Sequence, residues 1–298
     1  MNKYVVYTVI TDGFDDVKQP SVIDDCFDYI LFTDKKPASD TGIWKVRMID
    51  YKNSITRLQS RYPKAYPEIC LSEYAASLYI DGNIQITSQY VYDRCVELYK
   101  NSIEWSGIKH QWRNNIYEEM DWMIKAGWVH DYDVLDWYRL LKNEQYVPQD
   151  WLFENNIIFR IHSDNVKKIN DIWWWTLDQG YVKRDQFSLM YALWKVPEIK
   201  TGFFLPENEN AWTNSGYFQY HEHNPHKRVL PWSVWETIRH RCFRAKYGDD
   251  ASYSILLDRV CATKNPHRAL QWWTLSALFT QGWKVAIEMI RCRLPKKL

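Results

Sequence analysis

Short runs of β-branched and aromatic residues alternate with amphipathic helical segments along most of this chain. That alternation restricts it to an α/β sheet with crossover connections. "KYVVYTVI" (3–10) reads as a buried strand. "DYILF" (28–32), "WKVRMID" (44–50), "AASLYI" (75–80) and "NNIIFRI" (155–161) read as further strands. Helical spacing is expected over 54–66, up to Pro63, and over "SQYVYDRCVELYK" (88–100) with Ser88 as N-cap. It recurs over 115–127 and 132–143. Ser163 and Asp164 can cap a helix through "VKKINDIWWWTL", whose three consecutive Trp cannot all face one side. "RDQFSLMYALWK" (184–195) carries an acid at its start and Lys at its end, as the helix dipole prefers. After Pro225 the pattern is mainly helical. The expected organisation is one α/β domain over 1–224 and a basic, mainly helical extension over 225–298.

The 298 residues suffice for one large domain or two small ones. With 17 Trp and 21 Tyr, there are more rings than one core can hold, so some are expected at surfaces or in clefts. A Trp face there can stack on a sugar ring; core filling explains any single Trp equally well. The six Cys form no C-x-x-C pair and read as reduced thiols. The N-terminus is too short and too soon polar for a signal peptide, and no run reaches the ~18 apolar residues of a membrane span. A cytoplasmic protein is expected, soluble or peripheral at the inner face of the membrane. Residues 225–298 hold 14 Lys and Arg against 5 Asp and Glu, whereas the first 224 hold 24 against 32. "WKVAIEMIRCRLPKKL" (283–298) reads as a basic amphipathic helix that could lie on anionic lipid. A solvated helical face is the plainer alternative, and nucleic acid is not the expected partner.

In an open α/β sheet, ligands bind beyond the carboxyl ends of the strands. Three expected strands end there in acidic loops: Thr11-Asp12-Gly13, Thr33-Asp34 and Asp81-Gly82-Asn83. Acids so placed can hydrogen-bond ribose hydroxyls and base N–H groups, or hold a divalent ion against two phosphates. Arg57, Arg61 and Lys64 supply the cations a diphosphate needs. "LYIDGNIQI" (78–86) keeps two readings open. Asp-Gly is a strong hairpin signal, slightly favoured on periodicity; a ligand site is the other reading.

The order of motifs narrows the choice. "YVVYTVITDGFDDVKQP", "DYILFTD", "R…RYPK", "YIDGNIQI", "RNNIYEE", "ENNIIFR" and "RDQFSLMYALWK" follow one another over residues 1–223. Together they resemble the glycosyltransferase-like domain of plant mucilage and bacterial capsule proteins. That family is in turn similar to GT-A nucleotide-sugar transferases, with a Rossmann-type mixed sheet flanked by helices. The resemblance favours a ligand site at "YIDGN" over a hairpin. It implies that Tyr7, Thr8 and Asp12 line the nucleotide, that Asp34 contacts base or ribose, and that Arg57, Arg61 and Lys64 lie near the diphosphate. Asp81 and Asn83 would take the two positions of an acidic metal motif, with His221 of "YFQYHEH" as third ligand to Mn²⁺ or Mg²⁺. Asn83 is a neutral and weaker ligand than a carboxylate. Asp185 would act as general base, or orient the donor together with Gln186. Glu118 or Glu119 is a competing base, or else part of an exposed helix face. His110, Arg113, Glu154, Asn155 and Asn156 would meet the acceptor.

The implied activity is transfer of a sugar from a nucleotide-diphosphate sugar to a hydroxyl of a surface polysaccharide or lipid-linked glycan. Two alternatives stay open. One is a metal-dependent hydrolase of a nucleotide sugar or phosphoester. The other is a non-catalytic, Trp-rich glycan-binding protein.

Overall fold

A computed structural model describes residues 3–53, 55–182, 184–206, 216–223 and 234–262. The expected boundary at 224/225 and the basic segment 283–298 lie outside the described residues. The chain divides into two compact units, residues 1–116 with 146–226, and residues 117–145 with 227–298.

The first unit holds the expected α/β mixed sheet with flanking helices. Its seven strands are β1 (Tyr4–Ile10), β2 (Phe27–Thr33), β3 (Lys45–Met48), β4 (Ala76–Ile80), β6 (Trp105–Lys109), β7 (Phe153–Ile161) and β8 (Thr201–Phe203), while β5 (Ile84–Ile86) and β9 (Phe218–Tyr220) form a separate pair. The large sheet has the order β3-β2-β1-β4-β7-β6-β8. β3, β2, β1 and β4 run parallel, and β7 is antiparallel to both β4 and β6. All five residues of β4 are buried, the pattern of a strand covered on both faces. The short strands β6, β8 and β9 carry too few apolar residues to stand out in the sequence.

The hairpin reading of Asp81-Gly82-Asn83 does not hold. The Ile84 N–H bonds the Asp81 carbonyl at 3.0 Å, so a tight turn is present. Both edges of β4 are already taken by β1 and β7, however, and β5 pairs with β9 instead. The turn therefore carries the chain out of the main sheet.

The helices of this unit are α1 (Thr56–Ala65), α2 (Pro67–Cys70), α3 (Tyr90–Lys100), α6 (Asp164–Asp178) and α7 (Gln186–Trp194). Helix α1 does not stop at Pro63 but runs through it to Ala65. Pro63 has no N–H for the Gln59 carbonyl, so the last turn is held partly from outside the helix. Ser163 caps α6, its side chain accepting from the Val166 N–H at 3.3 Å. Ser88 accepts from the Tyr90 N–H at 3.2 Å, but the N-cap position of α3 is Gln89. Of the three consecutive Trp, Trp173 is buried, Trp174 packs edge-on against Tyr51 and Tyr62, and Trp175 is exposed beside Tyr181.

The second unit contains α4 (Ile116–Lys125), α5 (Leu135–Asn143), α8 (Val234–Tyr247) and α9 (Ser254–Ala262). Helix α5 buries Trp137, Tyr138 and Leu141. The Tyr138 hydroxyl donates to Asp258 at 2.7 Å, and Asp121 accepts from the Tyr253 N–H at 2.7 Å. These bonds tie α4 and α5 to the region of α9. Among the described residues no helix is long and apolar enough to cross a membrane. Cys26, Cys70, Cys95 and Cys242 are free thiols.

Candidate functional site

The strand order sets where a ligand can enter. From β1 the chain moves outward to β2 and β3, then returns to β4 on the other side of β1. The sheet therefore reverses direction between β1 and β4, and a crevice opens beyond their carboxyl ends. A cleft of about 430 Å³ lies there, and its walls include Ile10, Asp15, Arg61, Lys64, Asp81 and Asp185.

Lys64 is its electrostatic centre. The last turn of α1 projects the ammonium to 2.8 Å from one Asp185 oxygen and 3.7 Å from Asp81, with Arg61 3.5 Å from the other Asp185 oxygen. The ammonium also lies 4.6 Å from the centre of the Tyr79 ring. Asp185 stands at the N-cap of α7, yet its side chain makes no capping bond. Its backbone carbonyl accepts from the Trp173 indole at 2.9 Å, which leaves the carboxylate turned to the cations. Burial alone would raise the Asp185 pKa; Lys64, Arg61 and Arg184 outweigh it and hold the carboxyl well below the usual carboxylate range. Asp185 is thus ionised at any ordinary pH and, so paired, a weak base.

Asp81 leaves the end of β4 with its N–H bonded to the Asn156 carbonyl at 2.9 Å. Burial, reinforced by the adjacent Asp81 charge, keeps the Tyr79 phenol protonated, and its hydroxyl donates to Asp81 at 2.6 Å. Packing requires Gly82: a Cβ there would lie 2.8 Å from Ile10 Cγ1. Gly82→Ala is expected to displace Ile10 and cost about 1–3 kcal/mol of stability, read as a lowered denaturation midpoint.

The three expected metal ligands do not converge. The Asn83 amide donates to the His221 carbonyl at 2.9 Å, and the Asn83 carbonyl accepts from the His221 N–H at 2.9 Å. This reciprocal clamp extends the β5–β9 pairing. The His221 ring meets the Gln85 side chain at 2.9 Å. Asp81 lines the cleft, whereas Asn83 and His221 do not. Among the described residues no group of three or more His, Cys, Asp or Glu is arranged to hold a metal ion. Of the expected set, Asp81 alone offers a cleft-facing oxygen to one.

The remaining expected residues lie partly in the cleft and partly away from it. Asp12 and Arg57 line it. Asp12 has a left-handed backbone, φ 55°; its carboxylate meets Lys35 at 2.9 Å, and its N–H donates to Asp34 at 2.9 Å. Asp34 therefore fixes the loop after β1. Tyr7 and Thr8 are a correction: they are 0% and 1% exposed, because β1 is buried on both faces until it nears its end. Gln186 reaches the Phe153 carbonyl at 3.4 Å. The His110 ring lies 2.8 Å from the Arg113 guanidinium; burial, with that charge, drives its pKa down to about 3 and keeps it neutral. The Asn156 amide donates to Glu154 at 3.0 Å and to the Tyr220 hydroxyl at 2.9 Å. Asn155 is buried, and neither its amide nitrogen nor its amide oxygen has a hydrogen-bond partner among the described residues. None of the five residues expected at the acceptor, His110, Arg113, Glu154, Asn155 and Asn156, lines the cleft. Glu118 and Glu119 belong to the second unit, on α4.

Sequence reasoning missed Tyr79, Asp15 and His223. The His223 ring bonds both Asp15 oxygens, at 2.8 and 2.9 Å, and packs against Phe14. A signal existed for Tyr79, two residues before Asp81 on the same strand. Nothing in the sequence joins Asp15 to a histidine 208 positions away.

No family model matches the chain. No curated protein matches it either. Solved structures similar to 68% of it include core-mannan synthase A from Aspergillus fumigatus in its Mn/GDP form, at 11% identity, with 73% of that chain covered and a TM-score of 0.42. The WbbM bifunctional glycosyltransferase, in its apo form, is similar at 12% identity, with 38% of that chain covered and a TM-score of 0.39. The mannosyltransferase Ktr4p from S. cerevisiae is similar at 12% identity, with 68% of that chain covered and a TM-score of 0.36. Identities and scores this low leave function to be read from the cleft itself.

Proposed function

We propose that the chain is a glycosyltransferase of the GT-A type, taking a nucleotide-diphosphate sugar as donor and a glycan hydroxyl as acceptor. One observation carries this reading. At the point where the sheet reverses direction, Arg57, Arg61 and Lys64 face Asp81 and Asp185 in a single cleft. That is a place for a dianionic diphosphate beside carboxylates that can meet sugar hydroxyls. The ordered motif resemblance over 1–223 supports the same class, with capsule or other surface-polysaccharide synthesis as its setting. A divalent ion would supply charge neutralisation of the leaving diphosphate. Asp81 is the side chain that would hold it.

In this reading the chain's own residues do three things. Lys64 and Arg61 hold the diphosphate by charge. Tyr79 fixes the orientation of Asp81. Asp185 faces the donor from the start of α7. The test is calorimetric titration of UDP and GDP in EDTA and in Mn²⁺. Weak binding is expected in EDTA and tighter binding in Mn²⁺, with the tightening lost in Asp81→Ala while the fold survives. Absence of binding by either nucleotide under both conditions overturns the donor-site reading. Donor breakdown that needs no acceptor, and does not speed up when glycans are added, would make the protein a hydrolase.

A further inference from the structure

The "R" that closes "ENNIIFR" is Arg160, and it is 0% exposed. It lies on β7 with its guanidinium 5.0 Å from the Trp105 ring centre. One arm donates to the Asn170 side chain at 3.1 Å. The other donates to the Tyr7 hydroxyl and, at 2.6 Å, to the backbone carbonyl of Lys64. Asn170 passes the contact on, its amide donating to Glu68 at 2.7 Å. A single buried cation thus joins β1, β7, α1 and α6, and through Asn170 also α2.

Burying a guanidinium seldom stabilises a fold more than an apolar side chain of the same volume would. What the planar fork supplies is fixed geometry for its acceptors. The acceptor that matters here is the Lys64 carbonyl. It belongs to the last turn of α1, whose carbonyls lack partners within the helix. Pro63 weakens that same turn by removing one N–H. The backbone of Lys64 is therefore pinned from the core, while its ammonium reaches Asp185 and Asp81 in the cleft.

We propose that Arg160 is a positioning residue for the donor site: it holds the Lys64 carbonyl so that the ammonium is presented to the diphosphate. The proposal rests on the donor-site reading above for its consequence, but not for its geometry. It explains why Tyr7, expected at the nucleotide, lies buried instead: its hydroxyl accepts from Arg160, on the core side of Lys64.

Two measurements test it. The first needs no nucleotide. Lys64 is labelled with acetic anhydride in limiting amount, and its rate is read by mass spectrometry in the wild type, Arg160→Lys and Tyr92→Phe. Tyr92→Phe serves as the control because it removes a different hydrogen bond of a buried side chain, to the Val22 carbonyl. Arg160→Lys keeps the charge but loses the fork, and Lys64 labelling is expected to rise at least threefold, with no rise in Tyr92→Phe. Equal rates in all three proteins, or a rise that tracks the drop in Tm in both variants, overturn the proposal. The second measurement is a double-mutant cycle on UDP and GDP affinity. Arg160→Lys is expected to weaken binding about tenfold alone and not at all in a Lys64→Met background. Additive effects overturn the proposal. If neither nucleotide binds the wild type, the donor-site reading fails, while the labelling result still decides what Arg160 does.

Discussion

Lys64→Met is expected to weaken nucleoside diphosphate binding by about 10- to 100-fold, the equivalent of one charge-assisted hydrogen bond. The same change removes the cation that Asp81 and Asp185 share. Removing one partner of a buried ion pair typically costs about 3–5 kcal/mol, and the lower end applies because Asp81 is partly exposed and Arg61 remains beside Asp185. The check is a denaturant titration beside the calorimetry. The stability deficit should be full at neutral pH. It should shrink as acid protonates Asp185, whose folded-state pKa is depressed by its cations. Unchanged affinity and unchanged stability would mean that Lys64 only covers the Tyr79 ring.

Asp185→Asn is expected to lower turnover by about 10²–10³-fold without weakening nucleoside diphosphate binding. In the free protein Asp185 is held by Lys64 and Arg61 and is a poor proton acceptor. Under the proposed function, a diphosphate drawn to those cations would loosen their hold and raise the basicity of the carboxylate for the acceptor. The asparagine retains the shape and loses that response. Affinity that falls in step with rate would make Asp185 a donor-orienting group. The pH dependence of stability gives a second check. Because the folded-state pKa of Asp185 is depressed, its contribution is fully present above the unfolded value near 4 and is lost as pH falls further. The gap in Tm between wild type and Asp185→Asn should therefore be open at neutral pH and close in acid.

The alternation of strands and helices is legible because buried strands such as β1 and β4 are continuous apolar runs and the helices are amphipathic. The acidic loops are legible because a carboxylate directly after a buried apolar strand marks where the chain reaches solvent or a ligand. Residue type, spacing and motif order point to Asp81, Arg61, Lys64 and Asp185, and the structure brings these four together. What fails does so for identifiable reasons. The resemblance puts Tyr7 and Thr8 at the nucleotide, but the sheet covers them on both faces. Asn83 and His221 have the chemistry of ligands, yet their polar groups close the β5–β9 junction, a pairing across 138 residues that local pattern cannot reveal. Periodicity favours a hairpin at Asp81-Gly82 because a turn signal says nothing about which strand edges are already occupied. Arg160 stands within a motif without a legible role, since only the fold shows that its partner is a backbone carbonyl.

The pairing of Lys64 with Asp185 bears on how the protein would empty itself after each reaction. A cleft built only of cations grips the departing diphosphate as firmly as the arriving donor, and release then limits the cycle. Here an anion tethered to α7 is paired with those cations, so under the proposed function the product would leave by exchange rather than by exposing bare charge. Arrival and departure would then be the same swap run in opposite directions. A protein that lacks the tethered anion should hold its spent nucleotide longer, and inhibition by that nucleotide should deepen even as the chemical step slows.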